Sequence, residues 1–281
     1  MTGASVRVED VWFRYPLQPP ALRAVSLTIQ AGEFVALVGQ NGSGKTTLAK
    51  HFNGILRPEQ GQVFIDDADV ASRDTAEMAS VVGYCYQNPD HQIFAATVAE
   101  EIEFGPRNLH VERDEIVRRT RRLLETVRLQ DEWNAYPFSL SRGQRQKLAV
   151  ASVLAMEPRI LIVDEPTTGL DWQGGEAMME LMRQLNEEGR TIVMITHDMN
   201  IVAEYAKRVV VMAGGQIVAD GDPYEVFGSD EALRTADLRA PQAFRVARRR
   251  PDLFGTHCLT VHDARSALLR LSPPGVGSAA S

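Results

Sequence analysis

The 281-residue chain has no run approaching the roughly 20 consecutive apolar residues that carry a helix across a bilayer. Its longest apolar stretches, such as Ile160 to Val163 and Val209 to Ala213, end after a few residues, so the chain is expected not to span a membrane by itself. Cysteine is scarce: Cys85 and Cys258 supply neither a disulfide framework nor a metal-ligand cluster and read as ordinary small residues. The start, Met1 to Asp10, lacks the basic and then apolar segments of a secretory signal, which predicts a cytosolic chain. An excess of positive charge is lacking too. A net charge of −7 argues against a surface whose main task is to neutralise phosphate backbones, so no nucleic-acid partner is expected. Repeats at a fixed period are not visible. With 44% hydrophobic and 24% charged residues, the composition is that of one large folded domain or a domain with an appendage.

What is present has a rhythm. Val35 to Val38 precedes a helical pattern at Thr46 to Asn53, Ile160 to Val163 precedes one at Glu176 to Glu188, and Ile192 to Ile195 precedes one at Met199 to Ala206. Such alternation calls for crossover units and a parallel sheet. Runs such as Leu161-Ile162-Val163 lack polar alternation, as strands covered by helices on both faces do. The expected fold class is α/β, with sites at the carboxyl ends of strands. Val6 to Tyr15, Val25 to Ile29 and Gln62 to Ile65 read as strands without intervening helices, an antiparallel subdomain beside the parallel core. Between Thr97 and Val127 the pattern turns helical, with Ile116, Leu123, Leu124 and Val127 on one face and Arg118, Arg119, Arg121 and Arg122 on a solvated one. From Arg239 onward seven arginines meet only Asp252 and Asp263, a net charge of +5 that leaves −12 for the residues before it. This marks a C-terminal extension over 229–281, ending in a flexible tail at Ser272-Pro273-Pro274-Gly275-Val276-Gly277-Ser278.

Gly39-Gln40-Asn41-Gly42-Ser43-Gly44-Lys45-Thr46-Thr47 follows the strand Phe34 to Val38 and precedes a helix, the context a phosphate-binding loop requires. Its glycines let backbone N–H groups wrap phosphate oxygens at the positive end of the helix. Lys45 would neutralise the same oxygens, and the Thr46 hydroxyl would ligate Mg²⁺. Ile160-Leu161-Ile162-Val163-Asp164-Glu165 is an apolar strand ending in two carboxylates. Asp164 is placed to hold the Mg²⁺ hydration shell, and Glu165 to polarise a water for in-line attack on the γ-phosphate.

Between these lies Leu140-Ser141-Arg142-Gly143-Gln144-Arg145-Gln146, opening a helix expected over Lys147 to Met156. The ordered set of phosphate loop, Gln87, this signature segment, Asp164-Glu165, Gly169-Leu170-Asp171 and His197 resembles the ATP-binding-cassette ATPases over residues 5–228. The resemblance implies a P-loop NTPase core over 1–228 with a helical subdomain at about 88–158. It also implies a head-to-tail pair of cassettes, identical or paralogous, in which each ATP sees the phosphate loop of one subunit and the signature helix of the other. On that basis Tyr15 stacks on adenine, and Gln87 senses Mg²⁺ and the transport subunit. Ser141, Gly143 and Gln144 of the signature serve the partner's nucleotide, with Ser141 and Gly143 on its γ-phosphate. Asp171 couples the two sites, and His197 holds the γ-phosphate and the water. Arg142 stands where the family usually has glycine, and its charge and Cβ leave two outcomes open: a side chain turned outward, or a weakened site on the partner.

Tyr86-Gln87-Asn88-Pro89-Asp90-His91-Gln92-Ile93-Phe94, with Phe104-Gly105-Pro106-Arg107-Asn108-Leu109 beyond it, resembles energy-coupling-factor transporter ATPases. That likeness implies a peripheral subunit on the cytoplasmic face of the membrane, driving import of a vitamin or transition-metal ion. Its expected partners are a second cassette, an integral coupling subunit and a substrate-binding membrane subunit. Ile93, Phe94 and Phe104 are expected to line the groove for a coupling helix. The alternatives are a cassette of an importer with a separate solute-binding protein, a non-transport cassette ATPase, and a low-turnover regulatory module.

Overall fold

The computed structural model describes residues 2–255 and 258–271, so the tail expected at Ser272–Ser278 lies outside the described residues. Its elements are β1 (Val6–Arg14), β2 (Pro20–Ile29), β3 (Phe34–Gly39), α1 (Lys45–Phe52), β4 (Gln60–Ile65), β5 (Ala68–Asp69), α2 (Thr75–Ala79), β6 (Val82–Cys85), α3 (Val98–Asn108), α4 (Arg113–Thr126) and α5 (Arg142–Leu154). Then come β7 (Ile160–Asp164), α6 (Trp172–Glu187), β8 (Thr191–Ile195), α7 (Met199–Tyr205), β9 (Arg208–Ala213), β10 (Gln216–Gly221), α8 (Pro223–Gly228), α9 (Asp230–Thr235), α10 (Gln242–Arg249), α11 (Pro251–Phe254) and α12 (Val261–Leu271).

Six strands form one sheet in the order β10-β9-β3-β8-β7-β6, parallel from β9 to β6. β10 joins antiparallel to β9 through the two-residue turn Gly214-Gly215, where both residues need positive φ (55° and 81°). The second sheet, β2-β1-β4-β5, is antiparallel. Alternate residues of the large sheet feed two cores. Phe34, Ala36, Val38, Leu161, Val163 and Met194 face one that includes α3 to α7. Val35, Leu37, Ile160, Ile162, Val193 and Ile195 face a second, made with the antiparallel sheet and α1. Continuous apolar strands therefore have helices on one face, and on the other mainly a second sheet rather than helices alone.

Local capping moves several helix boundaries. α5 begins at Arg142, not Lys147, because Ser141 caps it and Gln144 completes a capping box. α6 begins at Trp172, not Glu176: Asp171 accepts the Gly174 N–H at 2.7 Å, and the cap carries the helix across Gly174 and Gly175. The helical stretch after Thr97 is two helices, broken where His110 takes a left-handed φ of 56°. Arg119 does not lie on a solvated face; it is inserted between Glu115 and Glu157, tying α4 to the turn before β7. Leu233, Ala236, Ala240 and Leu259 are buried in the larger core, so α9 and segments after it pack on the cassette itself. Among the described residues no helix is long and apolar enough to cross a membrane.

Candidate functional site

Parallel pairing brings the chemistry to one edge. In register, Leu37 lies beside Ile195, Ile195 beside Asp164, and Val163 beside Cys85. The segments leaving these strands carry the phosphate loop, His197, Glu165 and Gln87, so residues far apart in sequence meet at the carboxyl ends of β3, β8, β7 and β6. They line a cavity of about 1000 Å³ that includes Tyr15, Gly39, Asn41, Gly42, Gly44, Lys45, Thr46, Thr47, Gln87, Asp164, Glu165 and His197.

The phosphate loop is built around backbone no side chain would fit. A Cβ on Gly39 would lie 2.2 Å from the Met212 carbonyl oxygen, and Gly39 has φ +148°. Lys45 Nζ donates to the carbonyls of Gly39 (2.8 Å) and Gln40 (2.7 Å), with Ser43 Oγ at 3.4 Å. Burial depresses the Lys45 ammonium below its ordinary pKa, opposed by Glu165 and Asp164.

Asp164 Oδ2 accepts the hydroxyls of Thr46 (3.1 Å) and Tyr84 (3.0 Å). Burial lifts its carboxyl above the ordinary value, although both hydroxyls and Lys45 favour the charge. No group of three or more His, Cys, Asp or Glu able to hold a metal occurs among the described residues. The oxygen pair of Thr46 and Asp164 is of the kind that suits an ion keeping water and phosphate among its ligands, as Mg²⁺ does. Glu165 sits at a left-handed φ of 51°, which turns its side chain off the strand line. His197 Nδ1–H donates to its Oε1 (2.6 Å) and the Thr196 hydroxyl to its Oε2 (3.3 Å). The carboxylate is oriented from both sides, the requirement for taking a proton from a positioned water.

Tyr15 stands over the loop with its hydroxyl 3.3 Å from Thr47 Oγ1 and its ring edge-on to Phe13, which packs edge-on to His51. His51 is fully buried, and its Nδ1–H donates to the Thr47 carbonyl at 2.7 Å. Burial lowers its pKa, so the unfolded chain binds a proton at a pH where the folded chain does not. Stability present above the unfolded value of about 6.5 is then lost as pH falls through it toward the lowered folded value. His51→Asn keeps an N–H donor without titrating. Urea unfolding between pH 7.5 and 5.5 should show a flatter stability profile for that variant than for the wild type.

Ser141, Gly143, Gln144 and Asp171 lie outside the cavity. Ser141 and Gln144 cap α5, and Asp171 caps α6. Arg142 is exposed, and its side chain runs beside Gly169, where an added Cβ would meet its Nε at 2.5 Å. Gln92 Nε2 donates to the Ala149 carbonyl (2.7 Å), and Arg145 Nε to Asp90 Oδ1 (2.7 Å), tying the segment after Gln87 to α5. Phe94 and Phe104 form an exposed edge-to-face pair at 4.6 Å, whereas Ile93 is buried in the core and not on that surface. Spacing alone did not mark Tyr84, Thr196, or the extension residues Asp237–Gln242 and Arg245 that also line the cavity; the only signal for the last was the arginine enrichment.

The model of the ABC transporter family matches residues 22–168. The chain is 42% identical, over 84% of its length and 86% of the relative's, to the energy-coupling factor transporter ATP-binding protein EcfA of Methanocaldococcus jannaschii. It spans less than half the length of two other relatives, 43% of one from Caldanaerobacter subterraneus subsp. tengcongensis and 45% of one from Methanosarcina acetivorans, at 46% and 44% identity. Among solved structures it is similar to cbiO1 of Clostridium perfringens, part of the ABC transporter complex cbiONQ, at TM-score 0.74 and 34% identity, covering 89% of this chain and 97% of that one. A dimeric ATP-binding cassette bound to ADP and Pi superposes at TM-score 0.69 and 30% identity, covering 77% and 98%.

Proposed function

We propose that this chain, which belongs to the ABC transporter family, is the ATP-hydrolysing subunit that powers a membrane importer of energy-coupling-factor type. The observation that carries the reading is the division of the site. Phosphate loop, carboxylates and His197 share one cavity, while the signature residues Ser141, Gly143 and Gln144 point elsewhere. A second cassette, identical or paralogous, placed head to tail would supply the missing signature to each cavity.

Within each cavity the loop N–H groups and Lys45 hold the β- and γ-phosphates, and Tyr15 offers a face to the purine. Bound through Thr46 and Asp164 with Gln87 nearby, Mg²⁺ would neutralise charge on the transferring phosphoryl group. Glu165, fixed by His197 and Thr196, takes the proton of the attacking water, and His197, which lines the same cavity, holds the γ-phosphate and the water. ATP favours the closed pair because it bridges two subunits; loss of the γ-phosphate removes the bridge. The ties from Asp90 and Gln92 to α5 let a change at Gln87 move the signature helix, and the exposed Phe94–Phe104 pair offers the adjoining apolar surface to an integral coupling subunit.

The proposed place is the cytoplasmic face of the membrane, and the cargo, a vitamin or transition-metal ion, is held by a separate membrane subunit. Tagging the chain in its native cell and purifying it from membranes in mild detergent tests the reading. Co-purification of a coupling protein with a small integral binding subunit is expected. A conventional permease pair would move the chain to an importer with a separate solute-binding protein, and soluble or nucleic-acid partners alone would overturn transport.

A further inference from the structure

The nucleotide cavity has a wall that the family motifs do not account for. α9 ends in a backbone reversal in which Leu238 N–H bonds to the Leu233 carbonyl (2.8 Å) and Asp237 N–H to the Arg234 carbonyl (3.1 Å). The left-handed residue of such an end is usually glycine, but here it is Asp237, at φ 47°. Its carboxylate accepts the side-chain amide of Gln40, a residue of the phosphate loop itself. The reversal thus pins the extension against the phosphate loop. Ala240 and Pro241 are buried, which fixes the segment beyond the pin.

Arg239 is two residues from that pin, within about 7 Å along the chain. Arg245 stands one turn into α10, on the face it shares with Gln242, and both line the same cavity. Arg239 and Arg245 have no ion pair or hydrogen bond to their guanidinium groups among the described residues, whereas neighbouring Arg248 is engaged by Asp230. The cavity otherwise sets Lys45 against Asp164, Glu165, Asp198 and Asp237, a poor balance for a ligand carrying about four negative charges.

We propose that Arg239 and Arg245 bind the polyphosphate of the nucleotide held by this chain's own phosphate loop, making the C-terminal extension part of the ATP site in cis. The inference rests on the reading of the cavity as an ATP site and adds two binding residues from outside the cassette motifs. Both arginines are exposed, so their replacement leaves the core intact.

The test is equilibrium binding of the non-hydrolysable imido analogue of ATP, of ADP and of AMP to the full chain. Wild type, Arg239→Ala/Arg245→Ala and Lys45→Ala are compared, with thermal unfolding of each. The double variant should bind the ATP analogue about tenfold more weakly, AMP nearly as well as the wild type, and with a shallower dependence on salt. Unchanged affinity for the analogue in the double variant, while Lys45→Ala loses it, would overturn the arginine assignment and leave the ATP site standing. An equal loss for all three nucleotides would place the arginines at the nucleoside and overturn the polyphosphate contact. Failure of the wild type to bind any of them would instead remove the ATP-site reading on which the inference stands.

Discussion

Replacing Glu165 by Gln is expected to lower steady-state ATP turnover by roughly 10²- to 10⁴-fold while leaving ATP binding intact. The reason is local. Glu165 is buried, its Oε1 accepts from His197 Nδ1 at 2.6 Å and its Oε2 from Thr196 Oγ1 at 3.3 Å. A glutamine keeps the acceptor for His197, and the Thr196 hydroxyl can rotate to accept its amide, so the side chain stays in place and only the ability to take a proton is lost. ATP would then remain between two cassettes, and the closed pair should accumulate. Phosphate release from the assembled complex and gel filtration with ATP read both effects. Undiminished turnover would remove Glu165 from the role of base.

The second large effect is expected at Gly39. An alanine Cβ would stand 2.2 Å from the Met212 carbonyl oxygen on β9 and 2.7 Å from Ser43 Oγ. Neither neighbour can yield cheaply: one is sheet backbone paired with β3, the other belongs to the loop. Gly39→Ala should cost about 3 kcal/mol of stability. At about 2–4 °C per kcal/mol for a chain of this size, the melting temperature should fall by about 6–12 °C. Nucleotide affinity should fall with it, because the loop can no longer close on phosphate. Gly42→Ala is the comparison, since its Cβ meets nothing within 4 Å and only the φ of +80° resists it. Its cost should be about 1–2 kcal/mol. Equal melting temperatures for Gly39→Ala and the wild type would refute the close approach.

The parts of the site that were legible in the sequence are those that local spacing encodes. The loop from Gly39 to Thr47 and the strand ending in Asp164-Glu165 each announce themselves within ten residues. The alternation of apolar runs with helical patterns likewise marks β3, β7 and β8, all buried along their length. Tyr84 and Thr196 escaped because their roles depend on which strands become neighbours: β6 is four residues long, too short for a period to show. The start of α5 was displaced because a capping box, not the apolar pattern, sets it. Asp237 was illegible for a related reason: its partner Gln40 lies 197 residues away.

Arg142 gives the start of α5 a side-chain contact with the loop before α6. Its exposed side chain lies beside Gly169, and Leu170 lies against Gly143, so the first turn of α5 touches the loop leading to α6 at two points. Glycine at 142 would leave the Leu170–Gly143 contact alone. With arginine there, a side chain as well as the backbone joins the start of α5 to the loop whose end, Asp171, caps α6.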